Sequence, residues 1–494
     1  MAKNEKNVPK ADERRKKHES LLETLESIVV AFILAFIFRA FLVEAFVIPT
    51  GSMAPTLLGQ HVEHTCEHCR YEYSVGGDER EDRGIRQVVI PPKVVCPNCQ
   101  LRDRMDDFSL FSGDRILVLK FLYDFRTPER WDVIVFRNPN QPSQNYIKRL
   151  VALPGETIQL VRGDVTIDGR IVQKTDKAQE ALWMIVHDTR LRAEARDYVP
   201  RWGLQEGWTR EGPGFRFTQV PETPAWMTYQ ERDAEGKPVW IGDYYGYNGV
   251  SDERFPGRGR VPVTDLCVTG HVTAEDAGTV LLVELRAWRD TFLFELTAKG
   301  SGRPSRILKN GMPVAESIGG VLPVGQPVGV LAANVDHKLM LWVNGSRPLK
   351  ALTPLVTKAE GDPIYEPMPV SDDEWAQMAE LPDGPARVRV GVRGGPIVLG
   401  YLRLDRDVYY TNDMIGGEPG HGVEGNPFVL HEDEFFVMGD NSPRSFDCRL
   451  WPLARPVVPR KNLVGKAFFV YWPAAGRRMG IPLAPDVRRF RFVH

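Results

Sequence analysis

The sequence predicts a mainly β protein tethered by one N-terminal transmembrane helix. Short segments of alternating apolar and polar residues recur at Val280–Leu285, Phe292–Leu296, Leu331–Ala333, Leu339–Val343 and Arg387–Val392, the pattern of half-buried strands. Asn344-Gly345, among them, is a hairpin signal. A single apolar stretch follows a basic N-terminus. At 494 residues, 26% charged and 43% hydrophobic, the chain reads as globular and long enough for about two or three domains. A formal charge of −2 excludes a general nucleic-acid surface, which needs a clustered basic excess.

The positive charge is local. Residues 1–24 form a basic segment holding Lys3, Lys6, Lys10, Arg14, Arg15, Lys16 and Lys17, and only four acids fall in residues 1–20. From Ile28 to Phe38 nothing is charged, and Ala40–Ile48 is broken only by Glu44. Residues 25–45 are therefore expected to cross a bilayer, which takes about 20 residues, although a buried core helix has the same pattern over its uncharged part. The basic flank places the N-terminus in the cytoplasm, and Arg39 can snorkel to the outer interface. No small-residue cleavage site follows, so the helix reads as an uncleaved anchor. The rest of the chain, from about residue 48, is then expected outside the cytoplasm.

Directly after the apolar run comes the turn Pro49-Thr50-Gly51-Ser52-Met53-Ala54-Pro55-Thr56-Leu57, and far downstream Tyr146-Ile147-Lys148-Arg149. A serine in a Gly/Pro-rich turn is by default a solvated turn residue, and a lysine in a strand by default reaches for water. A serine nucleophile, however, needs a base to take its proton. Lys148 can be that base only if neutral, and burial among Tyr146, Ile147, Leu150 and Val151 would disfavour its charged form.

The blocks around the pair decide between these readings: Gly113-Asp114-Arg115-Ile116-Leu117-Val118, Trp131-Asp132-Val133-Ile134-Val135-Phe136, Leu153-Pro154-Gly155-Glu156, Met438-Gly439-Asp440-Asn441 and Val458–Ala467. In this order they resemble the bacterial type I signal peptidase (leader peptidase) family. The resemblance implies an antiparallel β catalytic core over 46–64, 104–174 and 405–494. It also implies a serine endopeptidase that removes signal peptides from exported preproteins after a small-x-small motif, at the bacterial cytoplasmic (inner) membrane. Ser52 would be the nucleophile and Lys148 the general base, with no cofactor. Thr50 would assist the Ser52 N–H in holding the oxyanion, in a position where the family commonly has serine. Ser445 would hydrogen-bond the lysine, and Asp440, Asn441, Asp447 and Arg449 would support the site. Cys448 stands where serine is usual, and a thiol is the weaker donor. By motif position, Phe46, Ile48, Met53, Leu57, Tyr146 and Ile147 would line shallow substrate pockets, although such residues are also ordinary core.

Two insertions interrupt this pattern. In residues 65–103, Cys66-Glu67-His68-Cys69 and Cys96-Pro97-Asn98-Cys99 form paired knuckles suited to a structural zinc ribbon with no open coordination position. Outside the cytoplasm the same four residues could instead form two disulfides. Cys267 and Cys448 have no evident partner and read as buried thiols. Residues 175–404 read as an all-β sandwich. Asn334-Val335-Asp336 followed by Leu341-Trp342-Val343-Asn344-Gly345 resembles a concanavalin-type jelly roll. Trp183, Trp202, Trp208, Trp226 and Trp240 are core or a stacking face, and a carbohydrate or protein ligand of the sandwich stays open. The rival reading of the whole chain is a membrane-tethered binding protein built on a vestigial peptidase core.

Overall fold

A computed structural model describes residues 23–33, 36, 42–82, 85–91, 93–105, 110–195, 198–249, 261–317, 319–345, 353–354, 371–381, 384–412, 414–415, 418–472, 477–478, 481–482 and 489–494. The fold is mainly β, with antiparallel sheets throughout its principal layers. Residues 1–22 of the basic segment and part of the expected span, 34–35 and 37–41, lie outside the described residues. Residues 23–33 are helical and carry exposed Leu25, Ile28, Phe32 and Ile33. Among the described residues no helix is long and apolar enough to cross a membrane. The last three residues of the expected 25–45 span are not helix. Val43–Val47 is a strand, with Val43, Glu44 and Ala45 paired to Leu119, Val118 and Leu117. Glu44, the one charge in that stretch, meets Lys120 at 3.2 Å.

The sheet that carries Lys148 runs in the order Val43–Val47, Arg115–Leu119, Leu463–Trp472, Val133–Arg137, Asn145–Ala152, Glu434–Met438 and Val458–Pro459. The alternation of the Trp131-Asp132 block explains its burial. Val133 and Val135 fill one face with Ile48, Met53, Leu57, Ile116 and Ala467, while Ile134 and Phe136 fill the other with Leu150, Val437 and Trp451. A strand covered on both faces needs a continuous apolar run, and this block supplies one. A four-stranded sheet, ordered Arg170–Ile171, Asp164–Ile167, Thr157–Val161 and Phe428–Val429, flanks it.

The insertion after Ile171 opens with a helix, Asp176–Leu182, whose N-cap Thr175 accepts a hydrogen bond from Ala178 N. It continues into two facing sheets that share one apolar core. Val268, Leu399 and Leu402 come from the first sheet and Val283, Phe294 and Val390 from the second. Trp202 and Trp208 belong to this core. Trp226 is half-buried, with the Arg389 guanidinium 4.4 Å from its ring. The last long strand of the first sheet is Ile397–Arg406, so the sandwich runs two residues past 404.

Asn344-Gly345 is not the turn of its hairpin. It ends the strand Lys338–Gly345, opposite Gly329 and Val328. The turn is Asp336-His337, both at positive φ, 45° and 56°, the double left-handed geometry that a two-residue hairpin requires.

The cysteine-bearing insertion is built on a small sheet of its own. Its sheet pairs Glu72–Gly76, His61–Thr65 and Leu110–Phe111, and the hairpins Asp78–Asp82 with Ile85–Val89 and Lys93–Val95 with Arg102–Arg104 project from it.

Candidate active site

Ser52 sits in a single 3-10 turn, Gly51–Met53, entered from extended Thr50. The Gly113-Asp114 block holds this turn from below. Ile48 N donates to Asp114 O and Leu58 N to Asp114 Oδ2, both at 2.9 Å. A Cβ on Gly59 would collide with the Thr50 carbonyl group, so the chain returns under the serine only because that residue is glycine.

Lys148 reaches the same turn from the middle of Asn145–Ala152, directly across the sheet from Ile134. Its Nζ lies 2.7 Å from Ser52 Oγ. Lys148 is 5% exposed and Ser52 7%. Burial of the ammonium pulls the Lys148 pKa down to about 8, against an opposing pull from Asp447 and Asp440. Desolvation penalises the charged form of a base, so a free base is accessible here at mildly alkaline pH. A serine, and a lysine hydrogen-bonded to it that can give up its proton at such a pH, can together abstract and hold one proton.

Two buried ion pairs frame Ser52 and Lys148. Arg149 grips Asp440 with two hydrogen bonds and also donates to Thr56 Oγ1 at 3.2 Å and to Trp131 O at 2.8 Å. Arg449 meets Asp447 at 2.9 Å and donates to Ser442 Oγ at 2.7 Å. Burial opposes the Asp447 carboxylate, but the Arg449 guanidinium outweighs it and holds the carboxyl below its ordinary range. Asp447 Oδ2 in turn accepts from Gly439 N at 3.0 Å. A Cβ on Gly439 would strike Ser52 O and Ser445 Oγ, which ties the C-terminal block to the serine turn at van der Waals distance.

Asn441 joins that turn through hydrogen bonds. Its N–H donates to Ser52 O and its Nδ2 to Gly51 O, both at 3.0 Å. Ser445 is buried beside them, but no hydrogen bond among the described residues links it to Lys148. Thr50 is exposed two residues before the serine. Cys448 Sγ turns away into the core and accepts from Val437 N at 3.3 Å.

Of the expected pocket residues, Ile48, Met53, Leu57 and Ile147 share one apolar cluster, with Phe46 packed on its side. Tyr146 packs on the opposite cluster, its ring 5.6 Å from Lys148 Nζ. Met53 and Leu57 have no exposed surface. The sequence reading missed Arg149 and Thr56, and also Asn248, whose side-chain amide pairs with that of Asn441. Arg149 was visible as the neighbour of Lys148, but nothing in the sequence named Asp440 as its partner.

The four knuckle cysteines converge. Cys66 Sγ lies 3.6 Å from Cys99 Sγ, as does Cys69 Sγ from Cys96 Sγ, and all four sulfurs fall within 4.8 Å of one another. These separations far exceed a disulfide bond of about 2.05 Å. They suit a thiolate tetrahedron, whose edges are about 3.8 Å when metal–sulfur bonds are about 2.3 Å. The two knuckles repeat one turn: Arg70 N donates to Cys66 O and Gln100 N to Cys96 O, with Arg70 and Gln100 both at positive φ. The cluster can hold a metal ion.

The family model for signal peptidase, peptidase S26, matches residues 21–74, 91–207 and 408–472. Over these segments the chain is similar to that family. The S26 segments include both cysteine knuckles and run to residue 207, past residue 174, the expected end of the first part of the core. Signal peptidase I of Rickettsia bellii (strain OSU 85-389) is 26% identical over 174 residues, 35% of this chain and 48% of that protein. Signal peptidase I of Rickettsia typhi is 28% identical over 161 residues, 33% of this chain and 48% of that protein. The chain thus spans about half the length of the curated relatives it matches. Among solved structures, the VIP36 exoplasmic/lumenal domain in its Ca2+/Man2-bound form is 7% identical at a TM-score of 0.27, covering 44% of this chain and 85% of that one.

Proposed function

We propose that the chain is a membrane-bound serine endopeptidase that cleaves N-terminal signal peptides from exported preproteins after a small-x-small motif. The observation that carries this reading is the 2.7 Å approach of Lys148 Nζ to Ser52 Oγ inside a nearly solvent-free site. Lys148, as free base, takes the Ser52 proton while Oγ attacks the scissile carbonyl, then returns it to the leaving amine; an acyl-enzyme forms and water releases it. The developing oxyanion is received by the Ser52 N–H, since the first amides of a helical turn have no acceptor within it. Thr50 supplies a second donor from its hydroxyl. Val43–Val47 stands at the end of the sheet order, so an extended substrate can pair with its open edge.

The exposed apolar helix at 23–33 supports attachment to the bacterial cytoplasmic membrane as a single-pass anchor, with the N-terminus inside and the catalytic part outside. The cysteine tetrahedron is read as a structural zinc site, closed to chemistry because four protein ligands fill it. The deciding experiment is cleavage of a purified precursor in detergent micelles by wild type, Ser52→Ala and Lys148→Ala. Processing after a small-x-small site by wild type alone upholds the reading. Cleavage by either variant, or by none of the three, sinks it.

A further inference from the structure

We propose that Asn248, a residue of the sandwich insertion, is a positioning residue for the peptidase: through Asn441 it fixes the Gly51–Ser52 peptide plane and so aims the Ser52 N–H at the oxyanion. This rests on the cleavage reading above and adds a part of the site that the family model does not match, since residue 248 lies between its segments ending at 207 and starting at 408.

The geometry is a relay of amides. Asn248 Nδ2 donates to Asn441 Oδ1 at 2.9 Å, and Asn441 Nδ2 donates back to Asn248 Oδ1 at 2.8 Å. The same Asn441 Nδ2 donates to Gly51 O at 3.0 Å. A trans peptide is rigid and planar, with its C=O and N–H pointing in opposite directions. Holding the Gly51 carbonyl oxygen on one side therefore sets the direction of the Ser52 N–H on the other. Gly51 itself offers little resistance to rotation of that plane, because it lacks a Cβ. Within the turn the Ala54 N–H donates to Gly51 O at 3.2 Å, and Asn441 adds a second, shorter restraint from outside it, in only one of its two amide orientations. Reversed, it would set an oxygen against the Gly51 carbonyl oxygen. The Gly51 carbonyl sets the Asn441 orientation, and the Asn248 amide, donor facing acceptor, holds Asn441 in place there with two further hydrogen bonds.

Asn248 is itself held. Its N–H donates to Tyr245 O at 3.0 Å in the 3-10 turn Gly246–Asn248. The neighbouring Tyr247 is 1% exposed and lies so close to Gly51 that any side chain there would strike its ring. Upstream, Arg406 Nη2 donates to both Asp243 O and Tyr244 O at 2.8 Å, and Tyr244 OH donates to Val95 O in the cysteine-bearing insertion. Both insertions thus hold the strap that reaches the serine turn.

The test is a double-mutant cycle on the full chain in detergent micelles with a precursor substrate, using Asn248→Ala, Asn441→Ala and the pair. Asn248→Ala should lower kcat roughly ten-fold, part of what loss of a whole oxyanion donor costs. KM and the pH dependence should stay unchanged, because Lys148 is untouched. Adding Asn248→Ala to Asn441→Ala should cost nothing further, because one acts through the other. Asn248→Ser decides the matter if the alanine variant does not fold. A wild-type kcat in the folded Asn248 variant overturns the inference, as do losses that multiply in the double variant, or unfolding of both Asn248 variants. If wild type cleaves no precursor, this inference falls with the peptidase reading. If wild type cleaves and Asn248→Ala matches it, this inference falls alone.

Discussion

Arg149 presents Nε and Nη2 to the two carboxylate oxygens of Asp440 at 2.6 and 2.7 Å, and neither side chain has exposed surface. The pair locks the lysine strand to the turn after Glu434–Met438. Removing one partner leaves a buried charge without its counter-ion, whereas removing both does not. Arg149→Met should therefore destabilise the fold by about 3–5 kcal/mol in urea unfolding. Arg149→Met combined with Asp440→Leu should recover most of that loss while activity stays low, because Thr56 and the serine loop have lost their donor. A single variant as stable as wild type would refute the pairing.

Lys148 should give the enzyme its pH dependence. With its pKa pulled down to about 8 by burial, kcat/KM should rise with pH and reach half its plateau near there. The same shift makes Lys148 a burden on folding. The folded state gives up the proton more readily than the unfolded chain, so the penalty is full below the folded pKa and vanishes as pH rises towards the ordinary lysine value of 10.5. Lys148→Met should be inactive yet more stable than wild type at neutral pH by about 3 kcal/mol. That advantage should shrink as pH rises from about 8 to about 10.5; a constant difference across that window would show that Lys148 is not depressed.

At the junction of core and sandwich, Lys174 Nζ is shared between Asp336 Oδ1 at 2.6 Å and Asp407 Oδ2 at 2.7 Å. Asp265 stands beside them. Burial, then the charges of Asp336 and Asp407, push its carboxyl up to about 7. The folded protein holds this proton where the unfolded chain has lost it, so the stability it lends is full at acid pH and drains away between about pH 4 and about pH 7. Asp265→Asn should flatten that part of the stability curve and raise the unfolding midpoint near neutrality more than at about pH 5. Equal effects at both pH values would contradict the shift.

Local patterning made the strands legible. Alternation located Val280–Ala287, Asp290–Thr297 and Ala386–Arg393 to within two residues. Ser52 and Lys148 stood out only through the ordered blocks around them, since the turn or strand chemistry of each alone favours an ordinary surface residue. Asn344-Gly345 misled because intrinsic turn preference is a local quantity, whereas the actual turn is fixed by tertiary partners: Lys174 N and Nζ both bind the Asp336 carboxylate. The Arg149–Asp440 and Asn248–Asn441 contacts span 291 and 193 residues. Neither leaves a spacing rule in the sequence, and Asn248 lies in an insertion whose own pattern reports only its sandwich.

The cysteine cluster makes a prediction that separates metal from disulfides by counting thiols. The chain has six cysteines, and Asn98 ties the knuckles to the sandwich, donating to Leu191 O at 2.8 Å and accepting from Asp188 N at 2.6 Å. If the four thiolates hold zinc, purified protein should carry about one equivalent of the metal. Chelation in denaturant should then expose all six thiols to titration, whereas two disulfides would leave only Cys267 and Cys448. Because metal binding to such a site is coupled to folding, chelation under native conditions should lower the unfolding midpoint, and Cys69→Ser should abolish the bound zinc. The loosened Asn98 should also release the strap carrying Asn248, since Val95, one residue before Cys96, accepts the Tyr244 hydroxyl. Chelated protein should therefore lose kcat before it loses its β-sheet circular dichroism; if both fall together, the knuckles support the fold as a whole and have no separate hold on the serine turn.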